Sequence, residues 1–141
     1  MKLAEFLPAT PDRSWQLARQ LGVRHAICKC APELTGLQAP DDIDSLRTIQ
    51  RRFADAGFTL AGLEGDEFDM RRIKLGLPGR DEDFARYRRM LANMGELGIP
   101  LICYNFMATI GWFRSDTAVP LRGGALSSGF RAVDAARLPP V

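Results

Sequence analysis

The residues best suited to chemistry follow an apolar run, residues 101–104, near the end of the patterned part of the chain. Asn105, Trp112 and Arg114 bring an amide, an indole and a guanidinium into the segment after this run. An apolar run of this kind predicts a strand buried on both faces of a parallel sheet. Ligands bind at the carboxyl ends of such strands, where the loops converge. The three side chains are therefore site candidates, although Asn105 can instead cap a turn, Trp112 cover the core and Arg114 lie in solvent.

Two more candidates stand at the ends of earlier predicted strands. Lys29 ends the second strand and can approach a substrate carboxylate, or extend along the surface with its ammonium in water. Glu64 ends the third strand, where a carboxylate can act as a general base or accept a hydrogen bond from a hydroxyl. Asp66 and Glu67 follow it closely, so a solvated acidic turn is the competing interpretation.

Histidine and cysteine offer little for a metal site. The single histidine, His25, begins the second strand, at the end of a parallel sheet that contributes stability rather than ligand binding. Cys28, Cys30 and Cys103 are predicted to be buried free thiols. Alternation along a strand places Cys28 and Cys30 on one face. No second Cys/His pair completes a zinc site.

Composition narrows the class of protein. The chain has 141 residues, 46% hydrophobic and 26% charged, with a net charge of +2, which is typical of one globular domain or part of one. Nucleic-acid binding is not expected, because basic residues are interleaved with acidic ones and form no stripe. No apolar run is long enough for a membrane span, and Glu5 and Pro8 interrupt any signal peptide. A cytoplasmic location is the default expectation.

The order of elements predicts an α/β fold. Amphipathic patterns predict helices beginning at Thr10 and Pro40 and over residues 81–97, with Thr10 as the first N-cap. The third helix is expected to bury a stripe that consists of Phe84, Tyr87 or the aliphatic stem of Arg88, Leu91, Met94 and Leu97. Short apolar runs predict four strands, and a helix stops on glycine just before a strand three times, at Gly22, Gly57 and Gly98.

This β-α-β-α-β-α-β order predicts parallel strands, as part of an eight-unit barrel or as a small doubly wound sheet. The barrel is favoured, because no dinucleotide-type glycine pattern follows the first strand. A complete (β/α)8 barrel takes about 250 residues, so the chain holds about four βα units. Residues 1–141 are expected to form a single partial barrel domain, with 115–141 as an irregular loop or tail after the fourth strand and at most a helical turn at 133–137.

Two segments closely resemble mannonate dehydratase. They are Ile73-Lys-Leu-Gly-Leu-Pro-Gly-Arg-Asp81 and Cys103-Tyr-Asn-Phe-Met107, the latter followed by Trp112 and Arg114. The resemblance implies a TIM barrel of the xylose-isomerase type. It also implies the dehydration of D-mannonate to 2-keto-3-deoxygluconate in hexuronate (glucuronate) catabolism. Ala108, Gly111 and Ser115 depart from the family's usual residues, which puts the loop geometry in question.

The resemblance also implies the site. In the family, histidine, cysteine and aspartate on later strands hold Mn²⁺ or Fe²⁺, so catalytic and metal-binding residues are expected downstream of Val141 and none within this chain. Glu64 and Asn105 are then expected to face sugar hydroxyls, Arg114 the carboxylate and Trp112 the pocket wall, with Lys29 as a further candidate. The chain alone is expected to be an inactive fragment. The alternatives are a sugar isomerase or epimerase of the same superfamily, and a non-catalytic half-barrel that dimerises or binds a partner.

Overall fold

The computed structural model describes residues 1–109, 114–135 and 137. The chain divides into two compact units, Met1–Phe106 and Met107–Val141. Within the described ranges, no helix is both long enough and apolar enough to cross a bilayer.

The strands of the first unit form one parallel sheet. They are β1 (Ala4–Phe6), β2 (His25–Cys28), β3 (Thr59–Glu64) and β4 (Leu101–Cys103). The sheet order is β1-β2-β3-β4, so each strand lies beside the strand that precedes it in the chain. A doubly wound sheet would reverse its order at a switch point, and a barrel would not. The predicted partial barrel of about four βα units is confirmed.

Helices separate these strands. They are α1 (Arg13–Gln20), α2 (Pro32–Thr35), α3 (Ile43–Asp55), α4 (Arg71–Lys74) and α5 (Arg80–Glu96). After α1, α3 and α5 the chain turns through Gly22, Gly57 and Gly98, whose φ angles are 80°, 81° and 67°. Only glycine adopts such angles without strain, so these three joins are confirmed.

The start of α1 differs from the prediction. Asp12, and not Thr10, is its N-cap, and the Asp12 carboxylate accepts a hydrogen bond from the backbone N–H of Ser14 at 2.8 Å. The reason is that a carboxylate two residues closer to the first free N–H groups displaces the hydroxyl as their acceptor.

The main core lies between the sheet and α1 and α3. Leu46, Ile49 and Phe53 on α3 are fully buried, as expected from the amphipathic pattern that predicted this helix. The Trp15 ring of α1 stacks on Phe53 with ring centroids 4.2 Å apart, and meets Phe58 edge-on at 5.5 Å. This aromatic cluster fixes α1 and α3 on the same side of the sheet.

The buried face of α5 is rotated from the predicted stripe. Asp83, Met90 and Met94 are buried, whereas Phe84 and Leu91 are 39% and 40% exposed. The spacing 83, 90, 94 is also helical, so the same sequence allows either face. The charged pair between Asp83 and α4 selects this one, because it draws the Asp83 side of the helix inward.

The prediction that the fourth strand is buried on both faces is wrong. In β4, Leu101 is 49% exposed and Cys103 is exposed, and Tyr104 just after it is 63% exposed. The physical reason is its position at the edge of the sheet, where no further strand lies beside it within the unit.

The sheet has an outer face covered by helices and an inner face that is open. Residues in register share a face, and Phe6, Ile27, Gly62 and Leu101 form one row across all four strands. We call the face that carries this row the inner face. Phe6 is 52% exposed there. The outer face instead carries buried residues: Ala26, Cys28, Leu60 and Leu63.

A β-bulge determines which face of the sheet the last residues of β3 occupy. Ala26 pairs with Leu60, but the next residue, Ile27, pairs with Gly62, so Ala61 is the extra residue. Leu60 and Leu63 consequently share the outer face although they are three positions apart. Glu64, which pairs with Cys103, therefore falls on the inner face.

The second unit contains a β-hairpin. Strands β5 (Asp116–Pro120) and β6 (Leu126–Gly129) pair antiparallel, and α6 (Ala132–Ala135) follows. The expectation of an irregular segment is thus wrong for residues 116–129, and the predicted helical turn near 133 is present. The reversal occurs at Gly123 and Gly124, with φ of 77° and 81°, because the chain needs two left-handed residues there.

Candidate functional site

Glu64 lies where it was predicted, at the carboxyl end of β3. Its side chain is partly buried, and its residue pairs in register with Cys103 at the end of β4. The next residue, Gly65, donates its N–H to the carbonyl oxygen of Cys103 at 2.9 Å. The two strand ends are therefore held together at the point where the candidate carboxylate leaves the sheet.

Lys29 lies immediately after β2 and approaches the same place. Its aliphatic carbons pass over Gly65, where a Cβ would lie 3.5 Å from Lys29 Cδ. Its ammonium is 3.6 Å from the carboxylate of Glu33 on α2, and the side chain is 32% exposed. Lys29 is thus neither free on the surface nor buried. The aliphatic part of Lys29 lies against the residue that follows β3, and a binding role for its ammonium stays a prediction.

Asn105 follows β4 by two residues and is partly buried. Lys29, Glu64 and Asn105 therefore come from the carboxyl ends of three successive strands of one sheet. Loops at this edge converge in parallel barrels, so the three side chains belong to one candidate site. An ammonium, a carboxylate and an amide can together bind a ligand that has both a carboxylate and several hydroxyls.

The other two candidates lie beyond the first unit. Arg114 belongs to the second unit, where its Nε donates to the Ser128 hydroxyl at 3.2 Å, and it is exposed. Trp112 lies outside the described residues. A contribution of Arg114 and Trp112 to the same pocket stays a prediction.

A buried carboxyl, Glu67, was missed by sequence reasoning. The run Glu64 to Glu67 was open to interpretation as a solvated acidic turn, yet Glu67 is only 1% exposed. Its Oε2 accepts a hydrogen bond from the Cys30 backbone N–H at 2.6 Å. Burial raises the pKa of Glu67 to about 8, against the opposing effects of that N–H and of Lys29. Glu67 is therefore largely protonated at neutral pH.

Asp66 behaves differently from its neighbour Glu67. It remains partly exposed, at 37% of its side chain, and its Oδ2 lies 2.5 Å from the Lys74 ammonium on α4. Phe68, which follows Glu67, is covered by the Arg86 guanidinium of α5, which lies 4.3 Å from the ring centroid. No sequence signal distinguishes these two acids; only the apolar Phe68 indicates that the chain turns inward here.

The thiols fulfil the predictions in part. Cys28 and Cys30 are buried and free, whereas Cys103 is exposed, so the burial prediction is wrong for Cys103 because β4 is an edge strand. A hydrogen bond with Cys28, together with burial, raises the pKa of the Cys30 thiol. Cys30 is therefore an unreactive thiol rather than a nucleophile. His25 begins β2, at the opposite end of the sheet from Glu64, as predicted.

Among residues 1–109, 114–135 and 137, no cluster of three or more His, Cys, Asp or Glu side chains could hold a metal ion. The residues described here do not fit a metal centre by themselves.

Consecutive parallel strands flanked by helices define a partial parallel βα-barrel, and the polar side chains at the carboxyl ends of its strands form a candidate site. Residues 33–136 match the family model described as D-mannonate dehydratase (UxuA). The chain belongs to this mannonate dehydratase family.

Curated relatives and a solved structure agree. The chain is 35% identical to the mannonate dehydratase of Streptococcus equi subsp. zooepidemicus over 99 residues, which cover 70% of this chain and 27% of the relative. It is 39% identical to that of Brachyspira hyodysenteriae over 75 residues, 53% of this chain and 21% of the relative. The crystal structure of mannonate dehydratase from Streptococcus suis serotype 2 superposes with a TM-score of 0.78 at 26% identity, covering 99% of this chain and 39% of that one. The chain spans about a quarter of the length of these curated relatives.

Proposed function

We propose that this chain forms one wall of the sugar-acid pocket of a carbon–oxygen lyase that removes water from D-mannonate to give 2-keto-3-deoxygluconate. The observation that carries the proposal is the family match over residues 33–136, which includes Glu64, Asn105, Trp112 and Arg114. Lys29 lies just before the matched range. The cluster of Lys29, Glu64 and Asn105 at three neighbouring strand ends supports the same assignment.

The reaction is a β-elimination. A base takes the proton beside the carboxylate, and an acid protonates the departing hydroxyl. A divalent metal, Mn²⁺ or Fe²⁺ by family resemblance, stabilises negative charge near the substrate carboxylate when it is bound. By family resemblance, we assign the metal and the proton-transfer groups to the later strands of such a lyase.

The chain's own residues bind and orient the substrate. The Arg114 guanidinium and the Lys29 ammonium attract the carboxylate of the sugar acid, the former through two parallel N–H donors. The Glu64 carboxylate accepts hydrogen bonds from hydroxyls, and the Asn105 amide can donate or accept. Trp112 provides an apolar wall. These interactions fix which carbon presents its proton to the base.

A chimera tests the proposal. This chain is joined to the part of the Streptococcus suis mannonate dehydratase that it does not cover, and formation of 2-keto-3-deoxygluconate from D-mannonate is measured with added Mn²⁺ or Fe²⁺. We expect activity in the chimera and none in the 141-residue chain. In the chimera, Arg114→Ala is expected to lower kcat/KM on the order of 100-fold, because a charged partner of the carboxylate is lost.

The control for that variant is Arg122→Ala, another exposed arginine of the second unit, at the hairpin turn. It should leave kcat/KM within about twofold, as surface substitutions usually do. A folded chimera that yields an isomerised sugar instead of the keto-deoxy acid would show that the isomerase alternative is correct. A folded chimera with neither product would refute both assignments.

A second candidate function rests on the open inner face. Phe6 and Leu101 are about half exposed at opposite edges of the sheet, so the face is apolar and uncovered within the first unit. A non-catalytic half-barrel that covers this face with a second copy of itself is therefore the alternative, and an oligomer is its signature.

A further inference from the structure

Glu67 has a buried carboxyl that the proposed chemistry does not use. It is 1% exposed, and its Oε1 is one of the buried side-chain atoms without a hydrogen-bond partner among the described residues. A buried carboxyl costs free energy unless all its polar atoms are hydrogen-bonded, so its presence calls for an explanation. Its one hydrogen bond, from the Cys30 N–H, joins two segments that are 37 positions apart.

These two segments are the ones that carry the candidate site. Cys30 directly follows Lys29 at the end of β2, and Glu67 lies three residues after Glu64 at the end of β3. A second contact joins the same segments, because the Lys29 side chain lies against Gly65. We propose that Glu67 is a positioning residue, which holds the end of β2 against the loop after β3 and so sets the spacing of Lys29 and Glu64.

The loop that bears Glu67 is fixed on its other side as well. The Asp66 carboxylate pairs with Lys74, and the Arg86 guanidinium covers Phe68. Movement of the contact with Cys30 is therefore transmitted to Lys29 and Glu64 and not lost in a mobile loop. The binding role of Lys29 and Glu64 rests on the proposed function. The contact between Glu67 and Cys30 is independent of that function.

Protonation controls this contact. The titratable groups that interact electrostatically with Glu67 are Lys29 and the Cys30 thiol from the end of β2, Glu33 from α2, Asp66 from its own loop and Tyr87 from α5. Two of the five are carboxylates and one is a cation, so they do not compensate a negative charge on Glu67. Because burial raises the pKa to about 8, ionisation above that pH puts an unmatched charge inside the molecule. The Cys30 N–H stabilises the ionised carboxylate whereas burial destabilises it, so the geometry of the Glu67–Cys30 contact changes as Glu67 ionises.

The first test follows the Cys30 backbone amide by ¹H–¹⁵N NMR in the 141-residue chain between pH 6 and 9.5. We expect its resonance to shift with a midpoint near 8 in the wild type and to stay constant in Glu67→Gln, which keeps a neutral acceptor. Glu5→Gln, at an exposed carboxylate, is the matched control and should titrate as the wild type does. A Cys30 amide that is flat in the wild type, or that titrates equally in Glu67→Gln, overturns the proposal.

A measurement on the wild type alone covers the case in which the variant does not fold. The ¹³C resonance of the Glu67 carboxyl, in protein labelled at glutamate, should titrate near 8. A midpoint near the ordinary value of about 4.3 would overturn the proposal.

The second test measures the consequence for the substrate in the chimera. Glu67→Ala is expected to raise KM for D-mannonate on the order of tenfold with little change in kcat, because the binding groups are misplaced. Glu67→Gln should restore KM at pH 7 and should remove any rise in KM above pH 8. Equal loss in both variants overturns the positioning role. An inactive wild-type chimera with a normal Cys30 titration instead refutes the proposed function and leaves the contact established.

Discussion

Among single residues, Asp83 is the most buried of the acids that form an ion pair in the described part of the chain. Its side chain is 2% exposed, and the Arg72 guanidinium donates to both oxygens, from Nε to Oδ2 at 2.7 Å and from Nη2 to Oδ1 at 2.5 Å. The Arg72 hydrogen bond keeps the pKa of Asp83 below its ordinary value. A bidentate pair of this kind fixes α4 against α5 in both distance and angle.

We predict that Asp83→Asn lowers the Tm at pH 7 by about 5 °C. A carboxyl with a lowered pKa stabilises the fold above its unfolded pKa, near 4, and loses that contribution as the pH falls through its folded pKa. The variant should therefore also show a shallower fall of Tm below pH 4. Circular dichroism melts between pH 2 and 8 provide the measurement.

The control is Glu82→Gln, because Glu82 approaches the same arginine at 3.3 Å but is 78% exposed. Its Tm should stay within about 2 °C of the wild type, as expected for an exposed pair. Similar losses in the two variants would contradict the special role of Asp83.

Individual side chains were the hardest features to predict. Glu64, Lys29 and Asn105 could be placed, because strand ends are visible as the points where apolar runs stop. Glu67 could not, because the neighbouring Phe68 indicates an inward turn without showing which of the adjacent acids is buried. Its burial depends on Cys30, a contact across 37 positions of the chain.

Among the elements of the sheet, β3 packs closely against both of its neighbouring strands. Gly62 lies in the inner row, and a Cβ there would come within 2.8 Å of the Leu101 carbonyl oxygen and 3.1 Å of Ile27 Cδ1. The absence of a side chain is what allows β2, β3 and β4 to approach one another at this level.

We predict that Gly62→Ala destabilises the fold by about 1–3 kcal/mol, because the strands must separate to admit the methyl group. Urea unfolding followed by fluorescence of Trp15 measures the change. Gly95→Ala is the control, since Gly95 lies in α5 with no heavy atom near its added Cβ. That variant should be stabilised by about 0.4–1 kcal/mol. Destabilisation of both to the same degree would rule out the steric explanation.

Elements were predicted well where local patterns decide them. Glycine stops and apolar stripes are local, and they located α1, α3, α5 and the four strands of the sheet. The exposure of β4 was missed because it depends on what lies beyond the strand. The hairpin was missed because Pro120 and Gly129 interrupt its short strands, and the pair Gly123-Gly124 was the only signal for its turn.

At the scale of the whole molecule, the open inner face has the largest consequence. Four parallel strands have two unpaired edges, and an eight-stranded barrel is the closed form of the same arrangement. Strands supplied by another chain or by further residues would cover both the edges and the face.

We predict that the 141-residue chain alone sediments as an oligomer, and that the double variant Phe6→Asp/Leu101→Asp shifts it toward monomer. Two carboxylates on the inner face oppose burial of that face. Analytical ultracentrifugation measures the outcome. Leu21→Asp, at an 81% exposed leucine after α1, is the control and should not change the sedimentation coefficient. A well-folded monomeric wild type would exclude the dimerising half-barrel.

The bulge at Ala61 also limits how this strand can vary in length. Side chains alternate along a strand, so each single-residue insertion or deletion inverts the parity of every position that follows. If the same residues formed a strand without the bulge, strict alternation would give Glu64 the parity of Leu60 and place it in the helix-packed layer. Loss of the Ala61 codon would remove the bulge and keep Glu64 on its face, whereas a codon gained or lost between Gly62 and Glu64 would exchange the pocket side of the strand end with its core side.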